Sequence, residues 1–170
     1  MPAAVPASSR RGVVVTIALA LTATAACSSD PQMTQSQKVE AMAVKYTAAW
    51  CSQNPASVAA HYAENGSLKI NEGSPAVGRT AITASAEAFM TSLPDMVVAM
   101  DSVRVSGRSA VYHWTLTGTN TGPGGTGKSV RISGFEEWTL DSAGLIETSL
   151  GHFDEVEYAR QLREGIAPAK

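Results

Sequence analysis

The feature that most constrains the fold is a series of three strand-like segments, at residues 109–117, 129–140 and 145–153. A glycine-rich segment, residues 118–128, joins the first two, and the turn residues 141–144 join the last two. Strand-like segments separated by such reversals are typical of consecutive β-hairpins. The sequence therefore predicts an antiparallel meander of three long strands.

Helical patterns precede the meander, and one follows it. The spacing of apolar and turn residues predicts helices at 38–52, 55–62 and 79–93, strands at 67–70 and 96–106, and a last helix opened by Asp154. Helices followed by a run of antiparallel strands indicate an α+β fold, with the helices packed on one face of a bent sheet.

Composition limits the partners that we expect. The 170 residues suffice for one domain and an export segment. The 13 basic and 15 acidic residues are dispersed and form no basic patch, which argues against binding of nucleic acid. Three scattered histidines have no metal-ligand spacing, so we expect neither a metal site nor a cofactor.

The amino-terminal segment is typical of export. Arg10 and Arg11 precede an apolar stretch, residues 12–26, that is shorter than a membrane-spanning helix. The small residues before Cys27 resemble the bacterial lipobox, which implies cleavage before Cys27 and lipid attachment to it. The protein is then held at the extracytoplasmic face of the cell membrane, after export by the general secretory or the twin-arginine route.

These observations predict four segments along the chain. They are a signal peptide at residues 1–26, a flexible tether at 27–37, a folded domain at 38–164 and a carboxyl-terminal tail at 165–170.

Alternation along the strands nominates three residues for catalysis: Asp154, His152 and His113. His152 and Asp154 are in phase on the last strand, and an apolar pocket would raise the pKa of a carboxyl group so that it can move protons near neutral pH. Two simpler interpretations stay open. Asp154, with Glu157 three residues later, has the pattern of a helix cap, and each histidine can be an ordinary hydrogen-bonded strand residue.

Glu136 and Glu137 are adjacent, so the alternation of a strand places one carboxylate on each face of the sheet. An unpaired charge is costly to bury. We therefore expect at least one of these two side chains to be solvated or paired.

The order of elements and an ordered set of residues resemble the nuclear-transport-factor-2-like superfamily, and within it the SnoaL-like group of polyketide and ester cyclases. The matching residues are Gly78-Arg79, Pro94-Asp95, Trp114-Thr115, Gly118-Thr119, Gly122, Thr126-Gly127-Lys128, Asp154 and Gln161-Leu162. The resemblance implies a cone in which a curved antiparallel sheet wraps helices around an apolar pocket, and homodimers that pair through their sheets. Asn120 stands where the group usually has histidine. Asn71-Glu72 lie where ketosteroid isomerases have a base aspartate.

Aromatic residues are expected to wall that pocket. They are Tyr46, Trp50, Tyr62, Phe89, Trp114 and Trp138. We expect a lipid-anchored protein that binds a small apolar molecule in the pocket or a protein partner on the sheet. The alternatives are a SnoaL-like cyclase, isomerase or hydrolase with Asp154 as general acid/base on a carbonyl-containing substrate, and a structural role in the envelope.

Overall fold

The structure, a computed structural model, describes residues 33–167 together with Met1. Its helices are α1 (Gln35–Cys51), α2 (Pro55–Ala59), α3 (Gly78–Ser92) and α4 (Glu155–Glu164). Its strands are β1 (Tyr62–Ile70), β2 (Ala76–Val77), β3 (Val97–Ser106), β4 (Ser109–Thr119), β5 (Ser129–Leu140) and β6 (Ile146–Phe153). None of the described helices is long and apolar enough to cross a membrane. The signal-peptide and lipidation predictions fall on residues outside this range.

The six strands form one curved sheet in the order β2-β1-β6-β5-β4-β3. This confirms the predicted α+β fold and its meander. The sheet is mixed rather than purely antiparallel, because β1 pairs in parallel with β6, with Lys69 opposite Leu150. Parallel pairing needs a long crossover connection. The rest of the domain supplies that connection between the first long strand and the last.

Helix α1 begins at Gln35, three residues before the predicted start. Thr34 caps it: its hydroxyl accepts a hydrogen bond from the Gln37 amide, and the Gln37 side chain accepts one from the Thr34 amide at 2.8 Å. This reciprocal pair is a capping box, and Thr followed by Gln three residues later is its sequence pattern. Apolar residues at helical spacing along α1 are buried, among them Val39 and Tyr46.

Strand β1 begins at Tyr62, five residues before the predicted position, and α2 ends at Ala59 rather than near residue 62. The predicted turn at Asn65-Gly66 is instead an irregularity inside the strand, where the pairing with β6 shifts register. A Cβ atom at Gly66 would lie only 2.7 Å from the Ile146 carbonyl oxygen. Close approach of the two strands therefore explains this glycine.

The core lies between the concave face of the sheet and helices α1 and α3. Alternate residues of the central strands point into it, including Tyr112 and Leu116 of β4 and Trp138 of β5, all almost fully buried. Their neighbours in sequence point to the convex face. The alternation predicted for β4 is therefore present, and it decides which polar groups leave water.

Candidate functional site

A cavity of about 50 Å³ opens between the helices and the concave face of the sheet. Its lining residues come from α1, α3 and all five long strands: Trp50, Leu68, Ile70, Phe89, Val98, Tyr112, Trp114, Leu116, Glu136, Gly151 and Phe153. The lining is apolar except for one carboxylate, that of Glu136. The cavity is thus an apolar pocket with a single charged group.

Glu136 lies in the middle of β5 and is 6% exposed. Three donors converge on its Oε2 atom. The Ser149 hydroxyl donates at 2.6 Å, the Trp138 indole Nε1 at 2.8 Å and the Tyr46 hydroxyl at 3.0 Å. Its Oε1 atom has only a longer contact, 3.3 Å from the same Tyr46 hydroxyl. One carboxylate oxygen is saturated, while the other keeps acceptor capacity for a ligand.

The network extends beyond the carboxylate. The hydroxyl oxygens of Tyr46 and Tyr62 are 3.0 Å apart, and each side chain has one proton to donate. Because Tyr46 donates to Glu136, Tyr62 is the donor in the pair. The result is a buried chain in which Tyr62 donates to Tyr46 and Tyr46 donates to Glu136. Such chains polarise their members and fix their geometry.

Burial is the largest influence on the pKa of Glu136. It raises the pKa of Glu136 above its ordinary value, while the hydrogen bonds from Ser149, Trp138 and Tyr46 oppose that rise. Burial, and then the charge of Glu136, raise the pKa of Tyr46 and of Tyr62 well above that of free tyrosine. Glu136 is therefore the ionisable group of the network whose proton is most easily exchanged.

The six aromatic residues predicted for the pocket divide into two groups. Trp50, Phe89 and Trp114 line the cavity. The other three lie behind it and form the surroundings of the carboxylate: Tyr46, Tyr62 and Trp138.

The indole of Trp114 lies over a glycine of the next strand. Gly134 is opposite Trp114 in the register of β4 and β5, and a Cβ atom there would be 2.6 Å from the indole Cζ2 atom. Glycine at this position lets the ring lie against the sheet. Gly134 therefore helps to shape the wall of the cavity, a role that its sequence context did not indicate.

The two strand histidines lie on the convex face, away from the cavity. His113, Phe135 and His152 are opposite one another on three adjacent strands, and the Phe135 and His152 rings are stacked with centroids 4.8 Å apart. The His152 Nε2 atom lies 3.4 Å from a carboxylate oxygen of Glu137. The structure thus places both histidine rings against Phe135, and it places Glu137 rather than Glu136 beside His152.

Asp154 is exposed and caps the last helix. Its carboxylate accepts a hydrogen bond from the Glu157 amide at 2.8 Å, as the capping interpretation predicts. It is not among the residues that line the cavity. The catalytic roles assigned from the sequence to Asp154, His152 and His113 stay predictions, and these three positions do not surround the pocket.

Residues that carry the family resemblance hold the elements together, and so does Asn120, at a position where this chain departs from the group. Asn120 and Thr126 of the β4–β5 loop both donate to the carbonyl oxygen of Leu162 in α4, and Gln161 accepts from the Arg131 amide. Asp95 accepts hydrogen bonds from the amide and the hydroxyl of Thr119, and these bonds lower the pKa of its carboxyl group. These contacts are structural, so the motif fixes the fold rather than the chemistry of the cavity.

The residues at the position of the isomerase base, Asn71 and Glu72, are not among those that line the cavity. The Glu72 side chain is 98% exposed and pairs with Lys69 at 3.5 Å, and Asn71 accepts a hydrogen bond from the Phe153 amide. In the part of the chain that the structure describes, no group of acidic, histidine or cysteine side chains could hold a metal ion.

Reasoning from the sequence did not single out Glu136. The signal was present, because strand alternation placed one of the adjacent glutamates inward with Trp138 and Leu140. What the sequence could not show was which face is buried and which donors, from α1 and β6, meet the carboxylate there.

The fold and the cavity together define a curved-sheet cone with an internal pocket. The sequence model of the SnoaL-like domain matches residues 43–148, more than half of the chain. The chain belongs to the SnoaL-like domain family. Comparison with the curated proteins found no match.

Solved structures with the same fold are numerous and distant in sequence. TsrD from Streptomyces laurentii is 18% identical with a TM-score of 0.66, covering 77% of this chain and 98% of its own. A ketosteroid isomerase-like protein from Catenulispora acidiphila, in complex with trimethylamine, is 14% identical with a TM-score of 0.64, covering 71% and 91%. The epoxide hydrolase/cyclase-like enzyme SalBIII is 16% identical with a TM-score of 0.63, covering 74% and 97%. At these identities the likeness shows the fold alone.

Proposed function

We propose that this protein is an exported, lipid-anchored SnoaL-like domain that binds a small, largely apolar molecule in the Glu136 cavity. The observation that carries the proposal is the cavity itself, an apolar pocket with one carboxylate already held in place by three donors. Pockets of this composition gain affinity from apolar contact and orientation from a few fixed polar groups.

Native mass spectrometry of the protein, purified from its host in mild detergent, tests this function. We expect a co-purified small molecule that is lost when Trp50→Ala and Phe89→Ala remove two walls of the cavity. Val156→Ala, at an exposed position of α4, is the control and should keep the molecule. Absence of any bound molecule across several preparations, together with failure to bind small apolar probes, would contradict the proposal.

The location is part of the proposal and rests on the sequence alone. Lipid on Cys27 would place the domain at the extracytoplasmic face of the membrane, and several acyl chains anchor a protein firmly. We expect the native protein in the membrane fraction and the Cys27→Ala variant to be processed differently and released. A native protein that remains soluble after fractionation would refute the anchor.

We also propose that the domain forms a homodimer through the convex face of the sheet. That face carries exposed or half-buried apolar side chains, including Leu150 and Phe135, among polar ones. A protein partner would use the same surface. Light scattering, with the mass corrected for bound detergent, should give the mass of a dimer for the wild type and of a monomer for Phe135→Glu. A wild-type protein that is monomeric at high micromolar concentration would count against dimerisation.

A second candidate function is catalysis by Glu136. A buried carboxyl group with a raised pKa, at the wall of an apolar pocket, has the properties of a general acid/base for a carbonyl-containing substrate. SalBIII, an epoxide hydrolase/cyclase-like enzyme, has the same fold. Glu136 takes the role that the sequence suggested for Asp154.

Deuterium exchange tests this candidate. We expect the wild type to catalyse exchange of the α-hydrogens of a carbonyl compound recovered from the protein for deuterium from D₂O. The rate should fall in Glu136→Gln and stay at the wild-type value in Asp154→Asn. Equal exchange rates for the wild type and Glu136→Gln would contradict the proposal that Glu136 is catalytic.

A further inference from the structure

The ligand class can be narrowed from the charges and rings of the cavity. We propose that the Glu136 cavity takes a small organic cation, an amine or quaternary ammonium group, whose charge lies against Glu136 and whose carbon atoms lie against the aromatic wall. This inference rests on the proposed binding function and adds the chemistry of the ligand.

The charge of the cavity lining favours a cationic ligand. Among the described residues that line it, Glu136 is acidic and none is basic. The donors on Glu136 are neutral hydroxyl and indole groups, and they engage Oε2 while Oε1 keeps acceptor capacity. A buried carboxylate without a cationic partner is costly. A cationic ligand would supply that partner, whereas an anionic ligand would meet like charge.

The aromatic wall supplies the second half of a cation site. Five of the lining residues are aromatic: Trp50, Phe89, Tyr112, Trp114 and Phe153. Cations are attracted to the faces of aromatic rings, tryptophan most strongly, and clusters of rings recognise quaternary ammonium groups. The Trp50 and Phe89 rings are nearly perpendicular, at 85°, so together they present surfaces in more than one direction. An alkylammonium group can therefore contact rings on several sides.

The size of the cavity sets the size of the ligand. A volume of about 50 Å³ is well below that of pockets for drug-sized molecules. It suits a compact group such as trimethylammonium on a short chain. The same rings would accept an uncharged group of equal shape, so the charge is the property to test.

The test compares two ligands of the same shape, choline and its uncharged isostere 3,3-dimethylbutan-1-ol. Isothermal titration calorimetry of the full chain in non-ionic detergent gives both affinities, at about pH 8 because a higher pH favours the carboxylate form of Glu136. We expect choline to bind at least about tenfold more tightly. Glu136→Gln should abolish this preference, and Glu137→Gln, the adjacent carboxylate on the convex face, should leave it unchanged.

The outcomes separate this inference from the proposed function. Equal or tighter binding of the uncharged isostere would overturn the cation inference and leave an apolar pocket. Binding of neither probe would also overturn it, while a neutral molecule found by native mass spectrometry would still support the binding function. The comparison of the two ligands on the wild-type protein tests the preference for a cation even if Glu136→Gln fails to fold.

Discussion

The concave and convex faces of the sheet differ sharply although they share the same strands. Glu136 and Glu137 are neighbours in sequence, yet one carboxylate is buried with three donors and the other is exposed beside His152. The side-chain alternation of a strand is enough to separate them. Chemistry in this domain therefore depends on the face on which a residue lies more than on the residue type.

The largest expected difference between the faces is in packing. Trp138→Ala removes a fully buried ring and a donor to Glu136, and should lower the free energy of unfolding by about 3–5 kcal/mol. Thr139→Ala, one residue later on the convex face, should change it by less than about 0.5 kcal/mol. Denaturant titration of both variants measures these changes, and similar losses of stability would contradict the difference between the two faces.

A smaller effect is expected from a single hydroxyl. Tyr46→Phe keeps the ring but removes a hydrogen bond to Glu136 and the acceptor for Tyr62, and should cost about 1–3 kcal/mol. The same unfolding measurement applies, with Glu137→Gln as the control on the convex face. A Tyr46→Phe variant as stable as the wild type would mean that the buried network contributes nothing.

The pH dependence of stability is also expected to differ between Glu136 and the exposed Glu137. Because burial raises the pKa of Glu136 above 4.5, the folded state binds its proton more tightly than the unfolded state. The stability that Glu136 contributes is therefore complete below pH 4.5 and falls as pH rises to the raised pKa, by at most about 1.4 kcal/mol per pH unit. The facing groups Tyr46, Tyr62 and Tyr112 have raised pKa values and stay protonated over this range.

Subtracting the unfolding free energies of Glu136→Gln from those of the wild type at each pH isolates this slope. Glu137→Gln is the matched control for the loss of a carboxylate. A difference that grows with rising pH would contradict the assignment.

The smallest expected effect is at Asp154. Asp154→Ala removes the cap of α4 and should cost about 1 kcal/mol, whereas Asp154→Asn keeps most of the capping and should stay close to wild type. Thermal unfolding separates the two variants, and ligand binding by native mass spectrometry should be unchanged in Asp154→Asn. Loss of binding in that variant would return Asp154 to the functional site.

Local patterns predicted much of the fold. The meander, the helix stripe of α1 and the cap at Asp154 follow from spacing and short-range chemistry within a few residues. The parallel pairing of β1 with β6 did not follow, because it depends on residues about 80 positions apart.

The site was only partly predictable for the same reason. Alternation placed Glu136 and Glu137 on opposite faces but proposed neither for the site, because the role of Glu136 depends on hydrogen bonds from Tyr46 and Ser149, which belong to other elements. His152 and Asp154 were placed together by counting along one strand. The structure assigns His152 to the convex face and Asp154 to a helix end, where neither borders the cavity.

Glu136 is the buried ionisable group of the cavity, and its titration can be measured directly. Carboxyl carbon NMR of protein labelled with ¹³C-carboxyl glutamate follows each glutamate with pH, and the signal missing from Glu136→Gln identifies the group. We predict a midpoint above the ordinary value of 4.5, because burial raises the pKa of Glu136. A midpoint at or below 4.5 would contradict the burial of an ionisable carboxyl group at this position.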